Sequence, residues 1–213
     1  MRTYEKIETL FERDTEGSKR LIFGKYRSQT VEFLKNNVWE FTEKIDGTNI
    51  RVMWDGHKIT FGGRTERANI PAHLMNYLNQ KFITPEVEEL FEQVFGEKEV
   101  ILFGEGYGAK IQGVGGLYRS DVSFILFDVL IGDNYQPRDR VEDVAKMFDL
   151  EIVPIVLIGT LDEAIQFVRE NPKSTIGTAM MEGVVGRPLV EMRDRCGNRV
   201  IVKIKYHDFK EFA

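Results

Sequence analysis

Residues 43–49, EKIDGTN, place Lys44 between a strand and a turn. The segment that leads into them and ends at Glu43, residues 38–43, alternates between apolar and polar side chains, which predicts a strand. The Asp46-Gly47 pair is typical of a turn, because glycine adopts backbone angles that other residues avoid. A lysine here presents a primary amine at the end of a strand, and a neutral amine is a good nucleophile toward a phosphate. The same residues also fit an ordinary hairpin with a solvated lysine, so the rest of the chain has to decide between the two.

Composition narrows the class of protein without naming a function. The 213 residues fit one large domain or two small ones, and they can bury a core without disulfides. The formal net charge of −5 excludes a histone-like polycation but not a nucleic-acid enzyme, whose local patches matter more. The single cysteine, Cys196, excludes an intrachain disulfide framework and a multi-cysteine zinc site. No apolar run approaches the roughly 20 residues of a membrane span, so we expect a cytoplasmic protein without a membrane partner.

Helix boundaries are predicted best where capping residues surround an apolar pattern. Thr84 suits an N-cap, Pro85 the first helical position and Gly96 the end of the same helix. Residues 160–163 (TLDE) form a capping-box pattern that starts another helix. Apolar spacing alone predicts three more, over residues 4–11, 71–82 and 137–148.

Strands are predicted where aliphatic, β-branched and aromatic residues occur in short runs. The predicted strands are residues 38–43, 50–54, 58–61, 100–104, 122–130, 153–158, 183–185 and 200–205. Asp55-Gly56 predicts a hairpin between the second and third of them. Because strands and helices do not alternate strictly, the pattern favours an α+β fold with largely antiparallel sheets.

Six short segments occur in the order used by the covalent nucleotidyltransferase superfamily, which contains polynucleotide ligases and RNA capping enzymes. The chain resembles this superfamily in residues 44–49 (KIDGTN), 63–65 (GRT), 103–105 (FGE), 124–128 (FILFD), 182–185 (EGVV) and 202–205 (VKIK). Each segment alone is weak evidence, whereas the ordered set extends over about residues 40–210. The sequences of residues 103–112 and 198–205 resemble, in addition, those of ATP-dependent RNA ligases of the RNA ligase 2 type.

The resemblance implies a fold and a domain organisation. The expected fold is the α+β nucleotidyltransferase domain, related to the ATP-grasp-like ligases, in which two antiparallel sheets flanked by helices enclose a nucleotide cleft. We expect residues 1–213 to form this single adenylylation domain, without an OB domain or a C-terminal helical domain. The RNA ligase 2 type includes phage enzymes. The resemblance therefore also implies a location in the host cytoplasm if the gene is carried by a phage.

The resemblance also implies a reaction in three steps. Lys44 attacks the α-phosphate of ATP with the help of Mg²⁺ or Mn²⁺, and pyrophosphate leaves. AMP passes to the 5′-phosphate of an RNA, and the 3′-OH of an RNA then displaces AMP. The implied partners are RNA ends of these two kinds, and an accessory protein could replace the missing C-terminal domain.

Roles for individual residues follow from the matched motifs. The resemblance implies that Lys44, Lys203 and Lys205 are catalytic. It implies nucleotide binding by Glu43, Ile45, Asn49, Arg64, Glu105, Phe127, Glu182, Lys203 and Lys205. It further implies metal binding by Asp46, Glu105 and Glu182, RNA contacts by Arg64, Gln112 and Arg187, and an orienting role for Asp128.

Several of these residues also have ordinary structural explanations. Phe127 could be a core side chain, although one ring can both close a core and support a base. Asp128 interrupts an apolar run, and a buried charge is costly unless it is paired. Lys203 and Lys205 share one face of a strand, which fits both a half-exposed strand and a phosphate site. Gln112 belongs to a glycine-rich segment, residues 106–119, that we expect to be a loop.

Three other functions remain open on the sequence alone. The chain could be a DNA ligase or a capping-type nucleotidyltransferase, although the lack of an OB domain disfavours capping. It could also be a non-catalytic module that binds nucleotides or RNA ends. Formation of a covalent adenylate with ATP separates the binding module from the enzymes, and a test with GTP separates the capping enzyme from the ligases.

Overall fold

Two strands flank the lysine-containing turn in the computed structural model, which describes residues 2–210. Strand β4 (Trp39–Glu43) ends directly before Lys44, and β5 (Thr48–Trp54) begins directly after Gly47. The boundary between two compact units of the chain lies between these two strands, after Ile45. One compact unit contains the residues up to Glu5 together with Asp46–Val153, and the other contains Lys6–Ile45 and the chain from Pro154 onward.

The first unit is built on a six-stranded sheet. Its strands are β5, β6 (Ile59–Gly63), β7 (Val100–Gly108), β8 (Val122–Ile131), β9 (Asn134–Tyr135) and β10 (Glu151–Ile152). The order is β10-β8-β7-β5-β6, and β9 pairs with β8. All pairs are antiparallel except β10 with β8, which is parallel.

Helices cover one face of this sheet and form its hydrophobic core. They are α2 (Ala72–Phe82), α3 (Pro85–Phe95) and α5 (Arg138–Met147), whereas the short helix α4 (Gly115–Tyr118) packs against β7 and contributes no residue to this core. Helix α2 buries Leu74, Leu78 and Phe82, which recur every four residues along one face. Each such side chain stabilises the fold by about 1.5–3 kcal/mol relative to exposure. Helix α3 has the predicted cap, since the hydroxyl of Thr84 accepts a hydrogen bond from a backbone N–H of the first turn.

A register shift in the pairing of β7 with β8 changes which residues face this core. Phe103 lies opposite Asp128 and Gly104 lies opposite Leu126, so Phe127 has no residue opposite it. Leu126 and Val129 both belong to the core cluster. The extra residue is a β-bulge, and it turns Phe127 and Asp128 together away from that core.

The second unit contains a five-stranded sheet and a separate hairpin. The sheet consists of β1 (Glu8–Thr9), β13 (Val202–Lys205), β12 (Gly183–Pro188), β4 and β11 (Ile155–Gly159), in that order. Only the edge pair β1 with β13 is parallel. The hairpin consists of β2 (Phe11–Arg13) and β3 (Leu21–Tyr26).

Three helices belong to the second unit: α1 (Gln29–Phe33), α6 (Leu161–Arg169) and α7 (Tyr206–Phe209). Helix α6 begins with a complete capping box, in which Thr160 and Glu163 bind each other's backbone N–H groups. Its apolar face packs with Trp39, Phe41 and Val184 in a second core cluster. The two cores are distinct sets of residues.

The α+β fold with two main antiparallel sheets and flanking helices is confirmed. The predicted helix over residues 4–11 is wrong, because this segment contains β1 and the start of β2. Its apolar residues pack in different units. Tyr4 contacts rings of the first unit, whereas Leu10 and Phe11 belong to the core of the second. Among the helices of residues 2–210, none combines the length and hydropathy needed to cross a bilayer.

Candidate active site

Three neighbouring strands of the second unit bring the predicted catalytic residues to one end of their sheet. Lys44 directly follows β4, Glu182 directly precedes β12, and Lys205 is the last residue of β13. Because β12 is antiparallel to both neighbours, the ends of β4 and β13 lie beside its beginning. The backbone confirms this arrangement, since the N–H of Lys44 donates to the carbonyl of Gly183 at 2.9 Å.

Glu182 connects two of the lysines directly. Its Oε2 accepts from Nζ of Lys44 at 2.5 Å, and its Oε1 accepts from Nζ of Lys205 at 2.6 Å. Both carboxylate oxygens are therefore in ion pairs. The arrangement balances one negative charge against two positive ones, so this sheet end carries excess positive charge suited to an anion.

Lys203 adds a third positive charge to the same end of the sheet. It lies opposite Val185 and on the same face of β13 as Lys205, while Val202 and Ile204 point into the core. Burial lowers the pKa of the Lys203 amine, and repulsion from Lys205 and Lys44 lowers it further. An anion bound at this point would relieve that repulsion.

Glycine is required where the strands β12 and β13 approach each other beside Glu182. Gly183 has φ of +155°, and a Cβ at this position would collide with the carbonyl oxygen of Ile204. The backbone of Glu182 accepts a hydrogen bond from the N–H of Tyr206 at 3.0 Å. The Glu-Gly pair is thus fixed by close backbone packing as well as by its side-chain contacts.

Glu43 makes contacts that its sequence motif does not indicate. Its side chain is 1% exposed, and one oxygen accepts from the hydroxyl of Ser174 at 2.5 Å. The other oxygen accepts from the backbone N–H and the hydroxyl of Thr175, at 2.9 and 2.6 Å. The carboxylate therefore anchors the segment that leads into Glu182, and the predicted contact of Glu43 with a nucleotide would have to come from its backbone.

In the first unit, several predicted residues share the sheet face opposite the core. Asn49 on β5 lies opposite Glu105 on β7, and Asp128 on β8 lies opposite Phe103. The Oδ1 atom of Asn49 is buried and has no hydrogen-bond partner among residues 2–210. A buried acceptor without a partner is costly, and a bound ligand that donates a hydrogen bond would satisfy it.

Phe127 and Asp128 are joined by an aromatic residue that the sequence analysis missed. The hydroxyl of Tyr4 donates to Oδ2 of Asp128 at 2.5 Å, and Asp128 is 0% exposed. The ring of Tyr4 lies 5.0 Å from the ring of Phe127 and 4.9 Å from that of Phe103, measured between centroids. Tyr4 thus supports both the ring and the carboxylate that the bulge places side by side.

The turn after Lys44 packs closely against β7 and the segment that follows it. A Cβ on Gly47 would collide with the carbonyl oxygen of Gly106 and lie 2.7 Å from the side chain of Glu105. Nε2 of Gln112 donates to the carbonyl of Gly47 at 2.9 Å, and the N–H of Asp46 donates to the hydroxyl of Tyr118 at 3.3 Å. In this structure Gln112, predicted to touch RNA, holds the turn.

The predicted loop over residues 106–119 is only partly irregular. Strand β7 continues through Gly108, and α4 occupies Gly115–Tyr118. Ile111, Gly115 and Tyr118 are buried within this segment. The glycines therefore permit close packing in part of the segment that is predicted to be a loop.

Arg64 lies in the exposed segment directly after β6 and is itself exposed. The end of that strand is held by a residue the sequence analysis missed, Arg51, which is 1% exposed. Its Nε donates to the carbonyl of Gly63 at 2.8 Å, and its Nη1 pairs with Glu66 at 3.0 Å. The sequence does not indicate this burial, because Arg51 alternates with the core residues Ile50 and Val52 and a charged residue at such a position is usually exposed.

The remaining predicted residues lie on the second unit. Arg187 is half-buried on β12, opposite Glu40 of β4, and Ile45 is buried directly after Lys44. Among residues 2–210, no group of three or more histidine, cysteine, aspartate or glutamate side chains is arranged to hold a metal ion. The structure brings together Lys44, Glu182, Lys203 and Lys205 in one unit, and Asn49, Glu105, Phe127 and Asp128 in the other.

No curated protein matches the chain significantly. An RNA ligase variant of Naegleria gruberi solved with ATP and Mn has a TM-score of 0.64 and 19% identity, and the match covers 86% of this chain and 53% of that one. Another variant solved with AMP and Mn has a TM-score of 0.65 and 20% identity, covering 87% and 54%. The N. gruberi RNA ligase with PPi has a TM-score of 0.64 and 20% identity, covering 98% and 63%.

These likenesses show that the fold is shared, and the chain spans about half the length of the first of these solved proteins. The family match is independent of them. The model of the RNA ligase family matches residues 37–205, which include the lysines, the carboxylates and the strand ends described above. The chain therefore belongs to the RNA ligase family.

Proposed function

We propose that the chain is an ATP-dependent RNA ligase that adenylates itself on Lys44, transfers the AMP to an RNA 5′-phosphate and joins that end to a 3′-OH. The observation that carries the proposal is the lysine cluster at the end of the second unit's sheet. Lys44 and Lys205 contact the two oxygens of Glu182, and Lys203 lies beside them with a lowered pKa. A nucleophilic amine and two further cations are what attack on a phosphate requires.

The first step uses Nζ of Lys44. The nitrogen forms a bond to the α-phosphorus of ATP, the bond from that phosphorus to the bridging oxygen breaks, and pyrophosphate leaves with the electron pair. Nζ must lose a proton to attack, and Oε2 of Glu182 is an acceptor 2.5 Å away. In the structure, this hydrogen bond holds the amine against Glu182. Lys44 therefore has to break its contact with Glu182 before it can reach the phosphate.

Lys203 and Lys205 would stabilise the negative charge that develops on the phosphate oxygens. Lys205 gives up its ion pair with Glu182 or shares it with the phosphate. Lys203 gains most from the exchange, because its positive charge is destabilised by burial and by its neighbours before the anion binds. Preorganised cations of this kind lower the barrier of phosphoryl-type transfer.

The first unit, taken by itself, contains groups suited to binding a nucleoside. Asn49 offers a buried acceptor without a partner, and Glu105 lies opposite it on the neighbouring strand. Phe127 presents a ring that the bulge turns away from the core, held against Tyr4. We assign the ribose hydroxyls to Glu105 and the adenine to Phe127, and relatives solved with ATP and AMP support that use of the fold.

A divalent metal ion fits the residues present. Mg²⁺ keeps several of its waters and is commonly held by one or two carboxylates plus substrate phosphates, so a preformed cluster of three carboxylates is not needed. Glu182 would hold it once its lysine partners turn to phosphate. When bound, the metal neutralises charge on the phosphate and makes the α-phosphorus a better electrophile.

The later steps use RNA ends. A phosphate oxygen of the 5′ end attacks the phosphorus of the lysine-bound AMP, and the bond from phosphorus to Nζ of Lys44 breaks. The 3′-OH then attacks the 5′-phosphate, loses its proton, and displaces AMP. Arg64 and Arg187 are the cations we assign to RNA phosphates, with Arg64 exposed after β6 and Arg187 half-buried on β12.

Trapping the covalent intermediate tests the proposal. The chain is incubated with labelled ATP and Mg²⁺ and examined by denaturing gel and intact mass, with GTP in a parallel reaction. We expect one AMP attached from ATP only, and none in the Lys44→Arg variant. Lys98→Arg, at an exposed position in the first unit, is the matched control and should adenylate normally.

Each contrary result has a definite meaning. Label trapped only from GTP would assign the chain to capping-type enzymes, and absence of any covalent nucleotide would leave a non-catalytic binding module. If adenylation occurs, ligation of RNA and of DNA ends under the same conditions decides the substrate. Glu182→Gln should abolish adenylation while leaving the far-ultraviolet circular dichroism spectrum unchanged.

A further inference from the structure

A cavity of about 390 Å³ lies in the second unit between the β2–β3 hairpin and α7, and none of the four residues of the lysine cluster lines it. Its lining includes Arg13, Lys19, Arg20, His207 and Asp208. Sites for small ligands begin at roughly 300 Å³, so the cavity can take a phosphate with part of its sugar. None of the matched sequence motifs includes the hairpin residues.

The charge of the lining is opposite to that of the chain as a whole. Arg13, Lys19 and Arg20 are cations, and Asp208 is the one carboxylate among the lining residues. Asp208 is already paired, since its Oδ1 lies 2.9 Å from Nη2 of Arg13. In a protein of net charge −5, this lining attracts anions rather than cations.

The walls of the cavity are fixed before any ligand binds. The guanidinium of Arg13 is held on two sides, by Asp208 and by the carbonyl of Lys19, to which Nη1 donates at 2.7 Å. Asp14 accepts from the backbone N–H groups of Gly17 and Ser18 at 2.9 and 2.7 Å, which shapes the turn of the hairpin. A rigid arginine loses little entropy on binding, which favours recognition of phosphate.

The position along the chain relates the cavity to the proposed reaction. His207 is two residues beyond Lys205, so their Cα atoms are at most about 7.6 Å apart. Lys205 pairs with Glu182 in the lysine cluster. An RNA strand whose end is held at the lysines would therefore have neighbouring phosphates within reach of the cavity.

We propose that this cavity, which we call the hairpin pocket and define by Arg13, Lys19, Arg20, His207 and Asp208, binds a backbone phosphate of the RNA substrate near the end to be joined. The proposal rests on the proposed ligase function for the identity of the ligand. Phosphate is bound by Arg13 and by the cations of the hairpin turn. Binding of this kind carries no sequence preference and depends strongly on salt.

The test compares two double variants that remove the same charge. Lys19→Gln with Arg20→Gln alters the hairpin pocket, and Lys25→Gln with Lys98→Gln removes two cations elsewhere. Lys25 lies on the same hairpin and pairs with Glu12 at 2.6 Å. A labelled single-stranded RNA with a 5′-phosphate is titrated with each protein at several salt concentrations, and binding is followed by fluorescence anisotropy.

We expect the pocket variant to bind RNA roughly 2- to 30-fold more weakly than the wild type, the range for two surface ion pairs. Its slope of log affinity against log salt should be smaller by about 0.7, because the contact with one phosphate of a single strand is lost. The control variant should keep the wild-type slope. Equal slopes for the two variants would overturn the proposal.

Two further measurements separate the alternatives. Self-adenylation with ATP should be the same in the wild type and the pocket variant, because the pocket contains none of the residues of the lysine cluster. If the wild type does not adenylate itself, the ligase function is refuted, whereas RNA binding still tests the pocket. Titration with polyglutamate tests an acidic protein segment as the occupant. Binding of polyglutamate that the pocket variant loses, with RNA binding unchanged, would assign the pocket to protein partners and overturn the proposal.

Discussion

Removing the hydroxyl of Ser174 tests how the chain holds the segment that leads into Glu182. Ser174 is buried, and its hydroxyl donates to the 1%-exposed carboxylate of Glu43 at 2.5 Å. The same hydroxyl accepts from the N–H of Ile176 at 2.9 Å. Ser174→Ala deletes a hydrogen bond to a charged group in a buried place and leaves a backbone donor without its partner.

The magnitude follows from burial and charge. A hydrogen bond to a charged group is worth about 1.5–3 kcal/mol. For a chain of this size each kcal/mol lowers Tm by roughly 2–4 °C, so Ser174→Ala should lower Tm by roughly 3–12 °C. Circular dichroism during heating measures the shift, and the rate of adenylation on Lys44 should fall as well, because Glu182 is reached through this segment.

Ser18→Ala is the matched control. Ser18 also donates from its hydroxyl to a carboxylate, that of Asp14, at 3.1 Å, but both groups are exposed. Exposed contacts of this kind contribute about 0–1 kcal/mol, so Tm should change little. If Ser174→Ala and Ser18→Ala lower Tm equally, the reasoning from burial is refuted.

Three other predictions concern positions outside this segment. Burial and neighbouring lysines lower the pKa of Lys203 below 10.5, so the unfolded chain binds that proton more tightly than the folded protein. Lys203→Met should therefore be more stable than the wild type in urea at pH 7, and the gain should shrink as the pH rises toward 10.5. Tyr4→Phe removes the hydrogen bond to the buried Asp128 and should cost about 1.5–3 kcal/mol in urea unfolding, an effect absent if that bond does not form. Gly47→Ala places a Cβ against the carbonyl of Gly106 and should destabilise by about 1–3 kcal/mol. Thermal unfolding checks this last value, and wild-type stability would contradict the packing.

The local elements could be predicted from sequence because their signals are local. Thr84, Pro85 and Gly96 define α3 by capping chemistry, and the structure places all three as expected. The capping box at Thr160 is equally complete. Such signals depend on residues three or four positions apart, and the chain shows them without any knowledge of distant contacts.

Strands β1 and β10 were missed because each pairs with a strand that is not its neighbour in sequence, whereas the hairpin of β2 and β3 was missed although its pairing is local. Strand β1 pairs in parallel with β13, about 190 residues away, and no short pattern reports that pairing. The apolar spacing over residues 4–11 therefore predicts a helix wrongly, since Tyr4 belongs to the first unit and Leu10 and Phe11 belong to the second. Strand β10 is two residues long and was missed for the same reason.

The site was predicted as a set of motifs but not as a set of contacts. The order of motifs predicted that Lys44, Glu182 and Lys205 act together, and the structure places them within hydrogen-bond distance. The partners of Glu43 and Asp128 could not be predicted in this way. Ser174 and Tyr4 have no signal in the sequence, because a hydroxyl donor to a buried carboxylate can come from any part of the chain.

The bulge in β8 limits the insertions and deletions that this strand can tolerate. In a regular strand, Phe127 and Asp128 would point to opposite faces, and only the extra residue lets both contact Tyr4. Loss of Phe127 or Asp128 would restore strict alternation between Leu126 and Val129 and leave one side chain instead of two on the face of Tyr4, whereas gain of a residue would turn the side chains that follow it to the opposite face. Related sequences should therefore exchange the side chains in this strand more readily than they gain or lose a residue within it.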